Sequence, residues 1–161
     1  MKRTLLLMRH AQAEPGFGID DIDRPLTDQG QAQAKVVGRL LAQHGCRIDH
    51  VVCSTALRTR QTLDGVLSTL GAESPPEIDY NEAAYNAASD TLLELVQYAD
   101  ADIETMMVVG HNPSVSQLVF DFVADSESLT GFPPATVAEV HLEVEWLYAA
   151  PGTGTGHVLN G

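Results

Sequence analysis

The chain is poor in positive charge: nine Lys and Arg stand against 22 Asp and Glu over 161 residues, for a net charge of -13. A field of that sign repels nucleic acid and anionic membranes, so neither is an expected partner. It repels phosphate as well, so a phosphate site would need its own local cluster of cations. Cysteine is equally scarce. Cys46 and Cys53 are too few for a disulfide framework and do not form a C-x-x-C pair, which points to reduced thiols and a cytoplasmic setting. Long hydrophobic runs are missing, and no segment approaches the length of a membrane span. Lys2-Arg3, Leu5-Leu6-Leu7-Met8 and Ala11-Gln12-Ala13 imitate a secretory leader. The apolar run is far below the roughly 7–15 residues that such a leader needs, and Arg9-His10 interrupts it. What is present is a 44% hydrophobic composition in a length that fits one domain, 1–161, with a closed core.

Along the chain, Thr4 to Met8 is a short apolar run that predicts a buried strand ending at Arg9-His10. A loop rich in Pro, Gly and Asp follows from Glu14 to Pro25. Thr27 then predicts a helix N-cap, with Asp28 in the first turn, where the helix dipole favours negative charge. Ala34, Val37, Leu40 and Leu41 recur at helical spacing, and Gly45 supplies the stop. Asp49 to Cys53 is a second strand, and Ala56 to Leu70 a second helix ended by Gly71. A short strand is expected around Ile78 and a helix over Asp90 to Tyr98. Thr105 to Val109 is another apolar strand, halted at Gly110-His111-Asn112-Pro113. Pro113 suits the first turn of a helix carrying Val115, Leu118, Val119 and Phe122. Ala138 to Val144 alternates apolar and polar residues, as a strand with one wet face does. Gly-Thr-Gly-Thr-Gly from Gly152 has the composition of a flexible linker, and no helix follows it to make a phosphate loop.

Strands alternating with helices predict a three-layer α/β/α fold around a mostly parallel central sheet. Reactive groups in such sheets lie just past the C-terminal ends of strands. Three segments have that position: Arg9-His10, Ser54 to Arg58, and His111-Asn112. All three bring cations or imidazoles. Phosphoryl transfer needs fixed donors around three charged oxygens and a nucleophile in line with the leaving group. Arginine, with its planar fork, suits the first task, and a neutral imidazole suits the second. Arg9, Arg58 and Arg24 are therefore candidate clamps, and His10 and His111 the candidate imidazoles.

Four ordered blocks carry a family resemblance: Leu6-Leu7-Met8-Arg9-His10-Ala11, Arg24-Pro25-Leu26-Thr27-Asp28-Gln29-Gly30, Ser54-Thr55-Ala56-Leu57-Arg58-Thr59-Arg60-Gln61-Thr62, and Val109-Gly110-His111-Asn112-Pro113. Together they resemble the histidine phosphatase superfamily, with its phosphoglycerate mutase-like fold. The short length and the Arg-Pro-Leu-Thr block are similar to the SixA-like phosphohistidine phosphatases. The resemblance implies that His10 is the nucleophile and forms a phosphohistidine intermediate, that Arg9 and Arg58 hold the phosphoryl oxygens, that His111 adds a donor, and that Arg24 stands at the rim. It implies no metal or organic cofactor. Ala11 takes the place where the commonest motif of the family has glycine. The chain has no room for the long insertion that supplies many relatives with an acid; Glu82 is the candidate general acid and Asp23 the second choice.

Other readings remain beside this one. His10 and His111 could be strand-end and turn histidines satisfied by backbone, and Arg58 a surface residue, although a cation in a helix's first turn opposes the dipole. Cys53 to Arg58 reads C-x4-R, one residue short of the cysteine phosphatase loop, and Cys53 sits in an apolar strand where a thiolate is costly. Three functions compete: a phosphatase for phosphohistidine on a signalling or phosphotransfer protein, a phosphatase for a small ester such as a sugar phosphate or nucleotide, and a phosphate-binding module without turnover. An already protonated phosphoimidazole leaves as neutral imidazole and needs little acid, whereas an alkoxide needs a proton. A short chain with a weak acid leans toward the phosphoramidate substrate. Mutase activity would need a cap that the chain is too short to build.

Overall fold

The computed structural model describes residues 2–71, 74–124 and 131–160. Six strands form one sheet: β1 (Arg3–Arg9), β2 (His50–Ser54), β3 (Glu77–Asn81), β4 (Thr105–Gly110), β5 (Val137–Leu142) and β6 (Gly154–Val158). Among the described residues four α-helices connect them: α1 (Asp28–Gln43), α2 (Leu57–Leu70), α3 (Ser89–Gln97) and α4 (Ser114–Val123). The strand order is β3-β2-β4-β1-β5-β6. The first four in that order run parallel, and β5 and β6 add an antiparallel edge.

The apolar run of β1 explains the layering. Successive side chains in a strand point to opposite faces, so a strand covered on both sides must be apolar throughout. Leu5 and Leu7 join a core with Leu92, Val96, Leu118 and Phe122 from α3 and α4. Leu6 and Met8 join a second core with Val37, Leu41, Leu63 and Val66 from α1 and α2. The result is the expected α/β/α sandwich, and its fold is phosphoglycerate mutase-like. No helix among the described residues is long and apolar enough to cross a membrane.

Local signals act as anticipated at several element ends. The Thr27 hydroxyl accepts the Gly30 N–H at 2.9 Å and caps α1. Pro113 differs by one place: it precedes the first turn of α4 as its cap residue. In β5, Val137, Ala138, Val140 and Leu142 are buried while Glu139 and His141 are partly exposed, and Glu143 and Val144 fall beyond the strand.

The stretch from Gly152 requires a correction. It is not a linker, because Gly154–Val158 pairs antiparallel with β5 as strand β6, Val140 lying opposite Gly156. The glycines permit the approach. A Cβ on Gly156 would strike the Glu139 carbonyl, and one on Gly154 would stand 2.5 Å from a Val140 methyl carbon. Here glycine marks close backbone contact rather than freedom.

Candidate active site

The sheet order puts the three reactive segments side by side. Arg9 at the end of β1 pairs with Gly110 at the end of β4, so His10 and His111 leave adjacent parallel strands at the same level. Strand β2 flanks β4 on its other side and ends at Ser54, three residues before α2 opens at Leu57. Adjacent parallel strands ending together thus deliver an imidazole, an imidazole and an arginine-bearing helix start to one edge of the sheet.

His10 is held by its own backbone. Its Nδ1 lies 2.7 Å from the Ala11 carbonyl oxygen. A carbonyl only accepts, so in the neutral ring Nδ1 carries the hydrogen and Nε2 keeps its lone pair. The next backbone N–H, that of Ala11, donates to the Thr62 hydroxyl at 3.0 Å, which in turn donates to the Arg58 carbonyl at 2.7 Å. This chain ties the nucleophile candidate to the first turns of α2. The His111 ring stands 5.4 Å from the His10 ring, centroid to centroid, at 61°. Its Nε2 is 2.8 Å from the Ser54 hydroxyl, and the Tyr85 ring lies 5.7 Å away on another side.

Arg9 and Arg58 lie beside the two imidazoles, each held by a partner from another part of the chain. The Arg9 guanidinium donates to the Phe132 carbonyl at 3.0 Å. Its Nε is buried and has no hydrogen-bond partner among the described residues, leaving donor capacity that an anion can satisfy. Arg58 is buried, 6% exposed, at the second position of α2. It donates to the Asp21 carbonyl at 2.7 Å and to the Asp21 carboxylate at 3.0 Å. Two of its five N–H groups are thereby used to fix the fork. Arg24 donates to the Glu14 carbonyl at 2.8 Å and to the Asp21 carboxylate at 2.9 Å. The Tyr85 hydroxyl completes the cluster by donating to Asp21 at 2.6 Å.

Asp21 and Tyr85 are the members that sequence reasoning missed. Asp21 belongs to a short 3-10 turn, Asp21–Asp23, inside the Asp-rich loop. Its proximity to Arg58, 37 positions away, depends on how that loop folds back, and the one sequence signal was its spacing of three from Arg24. The two carboxylates expected as acids stand differently. Asp23 is exposed at the far end of the same turn, and Glu82 is exposed at the start of the 3-10 turn Glu82–Ala84 that leads to Tyr85. Neither makes a side-chain hydrogen bond to His10, Arg9, Arg58 or His111 among the described residues. The structure gathers His10, His111, Arg9, Arg58 and Arg24, and leaves Glu82 and Asp23 at the margin.

The electrostatics follow from burial and this crowd of cations. Burial pushes His10 down from 6.5 to about 4; the bond to Ala11 opposes the shift, and the charges of Arg58, Arg9 and Arg24 reinforce it. Burial pushes His111 down from 6.5 to about 3, with Arg58 and His10 adding to the effect and Asp21 opposing it. Both rings are therefore neutral at pH 7. The Tyr85 hydroxyl, with the Arg58 and Arg24 guanidinium groups, holds the Asp21 carboxyl well below the usual carboxylate range. Cys53 is fully buried and its thiol is pushed up to about 12 by burial, so no thiolate is offered. A neutral imidazole with a free Nε2 lone pair, beside guanidinium donors, can attack phosphorus and hold its oxygens.

A cavity of about 540 Å3 lies at the opposite end of the strands, lined in part by Thr4, Arg47, Asp49, Glu104 and Thr105. None of the gathered residues takes part in it.

Comparisons with known proteins agree with this fold. The family model for the histidine phosphatase superfamily (branch 1) matches residues 5–103. An uncharacterized protein of Mycobacterium tuberculosis is 33% identical over 153 residues, covering 90% of this chain and 93% of that one. Among solved structures, the candidate phosphohistidine phosphatase SixA from Nakamurella multipartitia is 32% identical with a TM-score of 0.85, over 98% of this chain and 95% of its own. The protein histidine phosphatase SixA complexed with tungstate is 25% identical with a TM-score of 0.78, over 96% and 94%. This chain therefore belongs to the histidine phosphatase superfamily and is a phosphatase.

Proposed function

We propose that the protein hydrolyses phosphohistidine on a partner protein, through a covalent phosphohistidine formed on His10. In the first step Nε2 of His10 attacks phosphorus, the new N–P bond forms, and the bond to the substrate imidazole breaks. The leaving ring, protonated on its other nitrogen beforehand, departs neutral. In the second step water attacks the phosphorus on His10, inorganic phosphate leaves, and the imidazole is regenerated. Arg9 and Arg58 hold the phosphoryl oxygens, and His111, oriented by Ser54, faces the charge that develops on them. Arg24 works at the rim through Asp21.

The observation that carries this reading is the state of Asp21. It is the carboxylate tied into the site, and Tyr85 with two guanidinium groups keeps it ionised. An ionised carboxylate has no proton to give an alkoxide, so the arrangement suits a leaving group that brings its own. Glu82, exposed beside the Tyr85 turn, is the group from which slow ester hydrolysis would draw a proton. Similarity to the tungstate-bound SixA protein points the same way. A cytoplasmic partner in signalling or phosphotransfer fits a substrate of this kind.

The test compares phosphate release from phosphohistidine, phosphoserine and sugar phosphates by native protein and by His10→Ala. The expected result is preference for phosphohistidine, loss of turnover in His10→Ala, and a phosphate mass on His10 after a rapid quench. Narrow preference for one sugar phosphate or nucleotide would replace the proposal with a small-molecule phosphatase. Tight phosphate binding without any turnover would replace it with a binding module.

A further inference from the structure

The loop from Glu14 to Pro25 carries the most exposed large apolar residue in the described structure. Phe17 is 92% exposed, and Ile19 and Ile22 follow at 47% and 37%. Isolated exposed apolar residues are ordinary, but three on one loop whose base forms part of the active site are not. The loop is also fixed. Its base is closed by the Glu14 N–H donating to the Pro25 carbonyl at 2.9 Å and by a bridge between Ala13 and Leu26. Gly16, at φ +83°, lets the chain fold over the Arg24 stem, whose Cγ would lie 2.6 Å from a Cβ at that position. Arg24 then grips Asp21, and Asp21 grips Arg58. Phe17 is therefore presented on a frame that is bonded to the catalytic arginine.

Charge on the same loop narrows what can meet it. Glu14, Asp20 and Asp23 are exposed and form no salt bridge among the described residues, and Glu82 is exposed nearby in the chain segment that bears Tyr85. The floor of the site is cationic and its margin acidic. A small metabolite with extra carboxylates or phosphates is repelled at that margin. A phosphoryl group carried on a protein surface with lysine or arginine around it is drawn in.

We propose that Phe17, with Ile19 and Ile22, is the docking surface for the phosphorylated partner, and that it receives an apolar side chain flanked by cationic residues beside the phosphohistidine. This deepens, and rests on, the phosphohistidine reading above. Because hydrogen bonds hold the base of the loop and Arg24 in place, less of the gain from burying apolar area is offset by the cost of ordering the loop.

The experiment uses the full chain and three probes: free phosphohistidine, a synthetic peptide with one phosphohistidine flanked by lysines and a leucine, and a matched peptide flanked by glutamates and serines. Native protein should prefer the lysine-leucine peptide, and the preference should shrink in about 0.5 M salt. Phe17→Ser should lower kcat/KM for that peptide roughly tenfold, through KM, which is the scale of one interface anchor lost. Turnover of free phosphohistidine should change by less than about twofold. Equal loss on free phosphohistidine and on the peptide would overturn the proposal, as would unchanged rates on all three probes. A dimer abolished by Phe17→Ser in sedimentation would also overturn it, by making the loop a contact between copies of the chain. If native protein released nothing from free phosphohistidine or from either peptide, the functional reading would fall. Docking would then be decided by whether the lysine-leucine peptide binds native protein more tightly than Phe17→Ser.

Discussion

Lowering the pH separates a buried, cation-flanked imidazole from an ordinary one. An imidazole with a pKa of 6.5 is roughly one-tenth neutral at pH 5.5. His10, pushed to about 4, is almost wholly neutral there and keeps the lone pair that the proposed attack on phosphorus requires. Activity limited by this group should therefore persist from pH 7 to pH 5.5 and fall with a midpoint near 4. Stability should move with it. Above pH 6.5 both the folded and the unfolded chain carry a neutral ring, so the group contributes no pH dependence. As pH drops below 6.5 the unfolded chain takes up a proton that the folded ring refuses, and the folded state loses stability down to about pH 4. A fall from 6.5 to about 4 corresponds to about 3 kcal/mol for His10 once that window has been crossed. His111 shifts in the same direction, and with the rings 5.4 Å apart a proton on one opposes a proton on the other. Substrates have ionisations of their own, so the decisive assay is an NMR titration of the His10 and His111 ring resonances in ligand-free protein, read beside kcat/KM. Titration of both rings at 6 to 6.5 would refute the argument.

Arg58→Lys should cost roughly 100- to 1000-fold in kcat/KM, because an ammonium cannot reproduce the fork that bonds Asp21 and still offers paired donors to phosphate; near-native kinetics would show that only charge matters. Ser54→Ala should lower kcat roughly tenfold with little change in KM, since it frees the His111 ring and leaves the arginines in place; steady-state kinetics decide it. Gly156→Val should destabilise the protein by about 2 kcal/mol, lowering Tm by roughly 4–8 °C in a calorimetric scan, because its side chain meets the Glu139 backbone; an unchanged Tm would mean that β6 is not seated on β5.

The parts of the fold that declare themselves locally were legible. Continuous apolar runs marked β1, β2 and β4, and Thr27 marked the start of α1, because burial on both faces and an orphaned N–H group are properties of a few consecutive residues. The convergence of His10, Arg58 and His111 followed from strand ends in a parallel sheet, although the order β2-β4-β1 that makes them neighbours needed the structure. Strand β6 was misread because Gly-Thr-Gly-Thr-Gly has no strand pattern of its own; its glycines have meaning only against Glu139 and Val140. Asp21 was illegible for a related reason. Among Asp20, Asp21 and Asp23, chemistry is identical and only the loop's return path decides which one meets Arg58. The acid was then sought at Glu82 and Asp23, where composition offered carboxylates and geometry gave them no partner in the site.

The position of β1 has a consequence for the order in which the molecule is made. The strand that carries Arg9 is flanked by β4 on one edge and by β5 on the other, both far downstream in the sequence. During synthesis His10 emerges before either flanking strand, and neither edge of β1 can be paired until about a hundred further residues have been added. A ribosome-held fragment ending before Thr105 would leave both edges of β1 open and lack His111, so the candidate site is assembled only when β4 and β5 close around β1.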